Sequence, residues 1–330
     1  MNSSSRWASQ PAELDVIYAS PFAGACACRT STLNGFVETA DNTHAFLKPE
    51  GSVSSINSYG YSPQPLQYYI DYTRTILTTK GADGKMPAKP IFISITASDP
   101  QDLDEMVTRI QVLRTELRKF YESKPAGVVV DPSTLIAIEF NTSCPNIPNS
   151  PPPAYDIPRL SPFLEILRQA FRADNSLILG LKLPPYSDST MPAEVVRELE
   201  KYSTLTQLPD RTPISPWAFL TCTNTLGNSF APESQLIRPG GNVSNNGEGL
   251  QGGLGGDPIH FLALGNVRAF AQALNQSPDT AMHDVRIIGV GGVTSRAAAD
   301  RMRDAGATVV ACATLLGMKG VEALAELAPA

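Results

Sequence analysis

The sequence is poor in the residue types that build metal sites and disulfide frameworks. Three histidines and five cysteines occur among the 330 residues: His44, His260 and His283, and Cys26, Cys28, Cys144, Cys222 and Cys312. The cysteines are odd in number and lack C-x-x-C spacing, so neither a zinc site nor a disulfide framework is expected. The histidines lie outside every predicted strand end, which disfavours a metal-dependent or Ser-His-Asp hydrolase.

The sequence also lacks long apolar runs and clusters of positive charge. The N-terminus, MNSSSRWASQPAEL, has neither the cationic start nor the apolar core of a secretory signal, and no run could span a bilayer. The net charge is −6 and the pI is near 5.2. We therefore expect an acidic cytoplasmic enzyme that binds neither nucleic acid nor an anionic membrane surface.

Apolar strands alternate with amphipathic helices along most of the chain. Seven strands are predicted, at 24–30, 90–96, 135–141, 176–183, 217–223, 285–290 and 308–312. Helices are predicted between them, for example from Asp99 as N-cap with Pro100 at the first position, and at Pro162–Phe171. This alternation favours one (β/α)8 TIM-barrel domain over residues 1–330, with long loop insertions at 31–65 and 228–256.

The most distinctive stretch is EFNTSCPNIPNSPPPAYD, at residues 139–156. A predicted strand ends there in Asn141, Cys144 and Asn146, so two carboxamides and a thiol can face one small ligand. Cys144 is a potential base, because the loop that follows Phe140 contains no His, Glu or Lys, and Asp156 lies beyond the proline run. The alternative is a buried free cysteine in a proline-rich turn, and these residues alone leave both interpretations open.

Two further positions indicate an anionic ligand. The GVGG segment at Gly289–Gly292 follows a strand and precedes a helix, so backbone N–H groups and the helix dipole can face a phosphate. With Ala313 and Thr314 at the end of the last strand, this matches the phosphate site that barrels often build in their last two loops. Lys182, near the end of an apolar strand, needs an anionic neighbour. The alternative for the GVGG segment is a plain turn without a ligand. The alternative for Lys182 is a side chain that snorkels past the strand end into solvent.

These residues also resemble a family. N-x-S-C-P-N-x-P followed by A-Y-D is similar to the active-site loop of the class 1A dihydroorotate dehydrogenases, and further matches occur in order from about Asn2 to Gly320. The resemblance implies a TIM barrel that binds FMN and oxidises (S)-dihydroorotate to orotate in pyrimidine synthesis. It also implies hydride transfer to FMN, fumarate as the acceptor and a homodimer.

The resemblance carries roles onto individual positions. It implies that Cys144 and Lys182 are catalytic, with Lys182 stabilising negative charge on the flavin. The implied substrate ligands are Arg29, Asn57, Tyr59, Gly60, Tyr61, Asn141, Asn146, Asn224 and Thr225. The implied FMN ligands are Ser4, Arg29, Thr30, Asn141, Lys182, Thr223, Gly256, Gly291, Gly292, Ala313 and Thr314. No metal is expected.

Several positions depart from the family pattern. Arg29 stands where the family has Lys, and Tyr59 and Tyr61 stand where it has aliphatic residues. Arginine and lysine are not interchangeable, so a related flavin oxidoreductase acting on another dihydropyrimidine or an enoate stays an alternative. The family's first strand and a C-terminal helix are expected to be truncated here, which motivates a third interpretation, a non-catalytic barrel that binds a phosphorylated ligand.

Overall fold

The computed structural model describes residues 1–48, 51–143, 146, 153–205, 212–238 and 249–328. The strands within these ranges are β1 (Cys26–Ala27), β2 (His44–Leu47), β3 (Ser54–Asn57), β4 (Ile91–Ile95), β5 (Ile136–Asn141), β6 (Ile178–Leu183), β7 (Thr204–Leu205), β8 (Pro213–Ile214), β9 (Trp217–Cys222), β10 (Leu226–Ala231), β11 (Leu236–Ile237), β12 (Leu250–Gly256), β13 (Arg286–Gly289) and β14 (Val309–Val310). The main sheet is parallel, with seven strands in the order β1-β4-β5-β6-β9-β13-β14. Each contains part of one predicted strand, and the first and last are shortened to two residues.

Helices connect these strands, as the alternation predicts. They are α1 (Pro11–Ala19), α2 (Leu66–Thr78), α3 (Pro100–Glu122), α4 (Ile157–Ala173), α5 (Met191–Glu200), α6 (His260–Gln276), α7 (Arg296–Asp304), α8 (Thr314–Lys319) and α9 (Glu322–Leu327). The predicted cap is confirmed, because the Asp99 side chain accepts a hydrogen bond from the Gln101 N–H. No helix in the described ranges is long and apolar enough to cross a membrane.

The prediction that α4 begins at Pro162 is wrong. The helix begins at Ile157, and Pro162 lies inside it. Leu160 is completely buried, so the added first turn packs against the core. That packing favours the longer helix although proline removes one backbone donor from it.

The two segments predicted as long loops contribute to a second sheet. It is antiparallel, with five strands in the order β10-β12-β3-β2-β11. The β12 strand is rich in glycine because its backbone runs close to its neighbour: a Cβ at Gly252 would lie 2.0 Å from the Asn57 carbonyl oxygen, and one at Gly256 would lie 2.0 Å from that of Val53. The strands of the second sheet are therefore stabilised by pairing between segments distant in sequence, more than by a local apolar pattern.

The first residues of the chain contact both edges of the main sheet. Asn2 forms a parallel bridge with Cys312, beyond the end of β14. The Asn2 side chain donates to the Ala27 carbonyl at 2.7 Å and accepts from the Ala27 N–H at 2.9 Å. One asparagine thus bonds to the chain on both edges of the parallel sheet.

Candidate active site

A cavity lies at the carboxyl ends of the parallel strands, beneath the second sheet. The register aligns Asn141 of β5 with Lys182 of β6, and Lys182 with Thr221 of β9, so neighbouring strands end at one level. All the predicted site residues except Cys144 line this cavity: Ser4, Arg29, Thr30, Asn57, Tyr59, Gly60, Tyr61, Asn141, Asn146, Lys182, Thr223, Asn224, Thr225, Gly256, Gly291, Gly292, Ala313 and Thr314. Cys144 lies outside the described residues. The cavity gathers residues from nearly the whole chain.

Lys182 is buried near the carboxyl end of β6, with 4% of its surface exposed. Its Nζ donates to the Ser3 Oγ at 3.2 Å and to the Ser4 carbonyl at 3.1 Å. The side chain therefore does not extend past the strand end into solvent. It places a positive charge in the wall of the cavity.

The glycine turn after β13 forms another part of the wall. Gly291 and Gly292 have positive φ angles, 120° and 63°, and their N–H groups donate to no other described residue. A Cβ at Gly292 would lie 2.5 Å from the His260 Cβ, so this packing requires glycine. Two N–H groups are thus left to face an anion.

His260 supports this turn from beneath. Its Nδ1 lies 2.9 Å from the Gly291 carbonyl oxygen, and Arg301 Nε donates to its Nε2 at 3.2 Å. The bond from Arg301 requires an unprotonated Nε2, so Nδ1 carries the proton and donates to Gly291. The role of His260 was not apparent from its position in the sequence.

Two buried hydroxyl groups in the cavity wall have no partner among the described residues. They are the Ser5 Oγ and the Thr223 Oγ1. Because buried hydroxyls are normally hydrogen-bonded, they indicate a polar ligand. Groups of three or more potential metal ligands are absent from the described ranges.

A buried carboxylate, not identified by the sequence analysis as a site residue, lies beneath the cavity. Glu139 accepts hydrogen bonds from the Ser94 Oγ at 3.0 Å and the Thr221 Oγ1 at 2.7 Å. The Ser94 proton is used in this bond, so the Thr30 Oγ1, 2.9 Å away, must donate to Ser94. The carboxylate thereby fixes the direction of the hydroxyl chain that leads to the cavity.

Two candidate substrate ligands continue this chain. Asn141 donates through Nδ2 to the Thr30 Oγ1 at 3.0 Å, and its Oδ1 accepts from the Asn224 Nδ2 at 3.1 Å. The Asn224 Oδ1 then accepts from the Thr225 N–H at 2.9 Å. The orientations of both amides are therefore determined by hydrogen bonds within the protein.

Asn146 faces the second sheet. Its Nδ2 lies within hydrogen-bond distance of the Asn57 carbonyl at 3.0 Å, the Asn57 Oδ1 at 3.2 Å and the Tyr59 carbonyl at 2.8 Å. These acceptors occupy its donor protons, so its Oδ1 is the atom left to accept from a ligand N–H.

Arg29 is held on two sides. Its Nη2 donates to the Glu38 Oε1 at 2.5 Å, and its guanidinium carbon lies 5.2 Å from the centre of the Tyr59 ring.

The Tyr59 hydroxyl is 2.9 Å from the His44 Nδ1. His44 is the first residue of β2 and lines the cavity. Burial and the nearby Arg6 lower the pKa of His44, so its ring is neutral at neutral pH.

Comparison with known proteins identifies the family. The dihydroorotate dehydrogenase family model matches residues 129–328. A probable dihydroorotate dehydrogenase A (fumarate) of Streptococcus pneumoniae is 32% identical over 274 residues, which are 82% of this chain and 70% of the relative. A probable enzyme of the same name from Enterococcus faecalis is 29% identical over 320 residues, or 96% of this chain and 83% of the relative. With these similarities, the chain belongs to the dihydroorotate dehydrogenase family of oxidoreductases.

Proposed function

We propose that the protein oxidises (S)-dihydroorotate to orotate with FMN as cofactor and fumarate as electron acceptor, in de novo pyrimidine synthesis. The observation that carries this proposal is that every described candidate residue lines one cavity. The chain is also similar to enzymes named dihydroorotate dehydrogenase A (fumarate). We further propose a closed (β/α)8 barrel over residues 1–330, acting as a cytoplasmic homodimer. Asn2, which bonds to both edges of the sheet, supports closure.

Two features of the cavity wall support FMN as the cofactor. The free N–H groups of Gly291 and Gly292, with Ala313 and Thr314 beside them, would hold the phosphate. The unpartnered hydroxyls of Ser5 and Thr223 would bond polar groups of the cofactor. Further FMN ligands are proposed at Ser4, Arg29, Thr30, Asn141, Lys182 and Gly256. When bound, FMN supplies a two-electron acceptor for the hydride that leaves C6 of the substrate ring.

The remaining residues hold the ring and move its proton. A dihydropyrimidine ring presents alternating N–H and C=O groups, and the Asn146 Oδ1 is free to accept from such an N–H. Asn57, Asn141, Asn224 and Thr225 would complete the polar contacts, with Gly60, Tyr59 and Tyr61 closing the pocket. Cys144 would remove the C5 proton, and Lys182 would stabilise the negative charge that arrives with the hydride.

The direct test is product analysis on purified protein. After denaturation the released cofactor should be FMN, and the loaded enzyme should form orotate and succinate in equal amounts from dihydroorotate and fumarate. FMN-loaded protein that forms no orotate with any acceptor would contradict the proposed activity. If orotate forms only with a different acceptor, the assignment of fumarate is overturned and the assignment of dihydroorotate stands.

Replacement of Glu139 by glutamine is expected to lower kcat about tenfold, the order of losing one hydrogen bond to a charged group. The new amide would donate to Ser94 or Thr221, both of which now donate to Glu139, and would reverse the hydroxyl chain that orients Asn141. Stopped-flow reduction of the FMN-loaded variant measures the effect. FMN content should remain unchanged.

Glu198 offers a matched control for this variant. It is also buried and accepts hydrogen bonds from Ser161 and Tyr202, but it does not line the cavity. Glu198→Gln should reduce stability without the loss in kcat. Equal kinetic effects in both variants would show that Glu139 has only a structural role.

A further inference from the structure

The Arg29–Glu38 ion pair sits at the edge of the candidate active site. The Arg29 side chain is 5% exposed and lines the cavity, whereas Glu38 is 26% exposed and lies behind it, outside the lining residues. The pair distance is 2.5 Å, and Tyr59 covers the guanidinium from one face. A pair held from two sides in a mostly buried position keeps one geometry.

This pair lies at the end of the cavity where the ring is proposed to bind. Tyr59 connects the two features, since its ring contacts Arg29 and its carbonyl oxygen accepts a hydrogen bond from Asn146. The described partners of the Lys182 Nζ are Ser3 and Ser4, which contact neither Tyr59 nor Asn146 in the hydrogen bonds of the described residues. Arg29 is therefore the cation beside the amide that would contact the substrate.

Two of the three cations that line the cavity are paired with glutamates outside it. The described residues that line the cavity include no aspartate or glutamate and three permanent cations, Arg6, Arg29 and Lys182. Arg6 is paired with Glu13 at 3.5 Å, and Arg29 is paired with Glu38. The wall beside Asn146 thus presents a guanidinium whose charge is already balanced from outside the cavity.

We propose that Glu38 determines the charge preference of the site. It neutralises Arg29, so that the cavity accepts an uncharged dihydropyrimidine ring as well as one that carries a carboxylate. A carboxylate bound to the free edge of Arg29 would place two anions on one guanidinium, and their repulsion weakens its binding. A ring without the carboxylate incurs no such repulsion. This inference rests on the proposed function.

The test compares two ligands that differ in the carboxylate. Orotate and uracil are titrated into FMN-loaded full-length protein, and binding is followed by the change in the flavin spectrum. Wild-type protein should bind both. Glu38→Gln should bind orotate about tenfold more tightly, the order of relieving one like-charge contact, while uracil affinity changes less than about twofold. Glu38→Asp keeps the charge and should resemble the wild type.

A surface variant controls for net charge. Glu116 is paired with Arg74 on the exposed side of the helices, so Glu116→Gln removes the same charge without altering either affinity. Orotate binding that is unchanged or weakened in Glu38→Gln would overturn the inference, as would a wild-type protein that binds orotate but not uracil. Those results leave the proposed function intact. If neither ligand binds the FMN-loaded wild type, the proposed function fails and this inference fails with it.

Discussion

Replacement of Cys144 by alanine is expected to reduce turnover by about 10²–10⁴-fold, the contribution of a general base, while FMN and orotate still bind. The oxidation removes a proton from C5 as hydride leaves C6, so a base must face the ring. Cys144 lies between Asn141 and Asn146 in the sequence, and both of those residues line the cavity. Single-turnover reduction of FMN-loaded protein by dihydroorotate measures the loss.

The described cysteines do not offer a competing base. Cys312 also lines the cavity, but burial raises the pKa of its thiol to about 11, with the N-terminal amine and a hydrogen bond opposing the shift. It stays protonated at neutral pH and cannot take up the proton. Cys312→Ala therefore serves as the matched control and should retain reduction by dihydroorotate.

The pH profile gives a second readout for Cys144. An ordinary cysteine thiol has a pKa of about 8.5, so the rate of flavin reduction should rise with pH as the thiolate forms. Cys144→Ser should be slow and should need a higher pH, because a hydroxyl is a weaker acid than a thiol. Near-normal reduction in Cys144→Ala would remove this residue from the mechanism and favour the buried-cysteine interpretation.

Replacement of Lys182 by alanine is expected to slow flavin reduction by about 10²-fold or more, the order of losing one preorganised charge stabiliser. The residue is buried with its charge inside the cavity wall, held by Ser3 and Ser4. Its effect should appear in the rate of reduction and in a lower reduction potential of the bound flavin. Both are measured on protein with a full complement of FMN.

Lys89 provides the control for a lost lysine. Its Nζ donates to the Tyr18 and Ser20 carbonyls just before β4 begins, at the end of the parallel sheet opposite the cavity. Lys89→Ala should lower stability and leave the reduction rate and potential near those of the wild type. A Lys182→Ala variant with normal single-turnover reduction would exclude the proposed charge stabilisation.

Local patterns predicted the parallel strands well, because each is a short apolar run bounded by turn residues. The second sheet was missed for a physical reason. Its strands, such as His44–Leu47 and Ser54–Asn57, are short and only partly apolar, and β12 contains four glycines in seven residues. They pair with partners distant in sequence, and no local periodicity reports such contacts.

The candidate site was predicted mainly through the family resemblance, and its supporting contacts were not. Glu38, Glu139 and His260 lie outside the motifs that carry the resemblance or were assigned no role in them. Each acts through a neighbour: Glu38 on Arg29, Glu139 on the hydroxyl chain, and His260 on the turn at Gly291. Such roles depend on which side chains meet in three dimensions, so the sequence alone could not reveal them.

We propose that this protein oxidises dihydroorotate through a bound flavin. The most direct measurement is the visible spectrum of the purified, FMN-loaded protein before and after addition of dihydroorotate without oxygen. We expect the yellow absorbance to bleach, and to return when fumarate is added. A flavin that stays oxidised with dihydroorotate, in protein that still binds FMN, would contradict the claim.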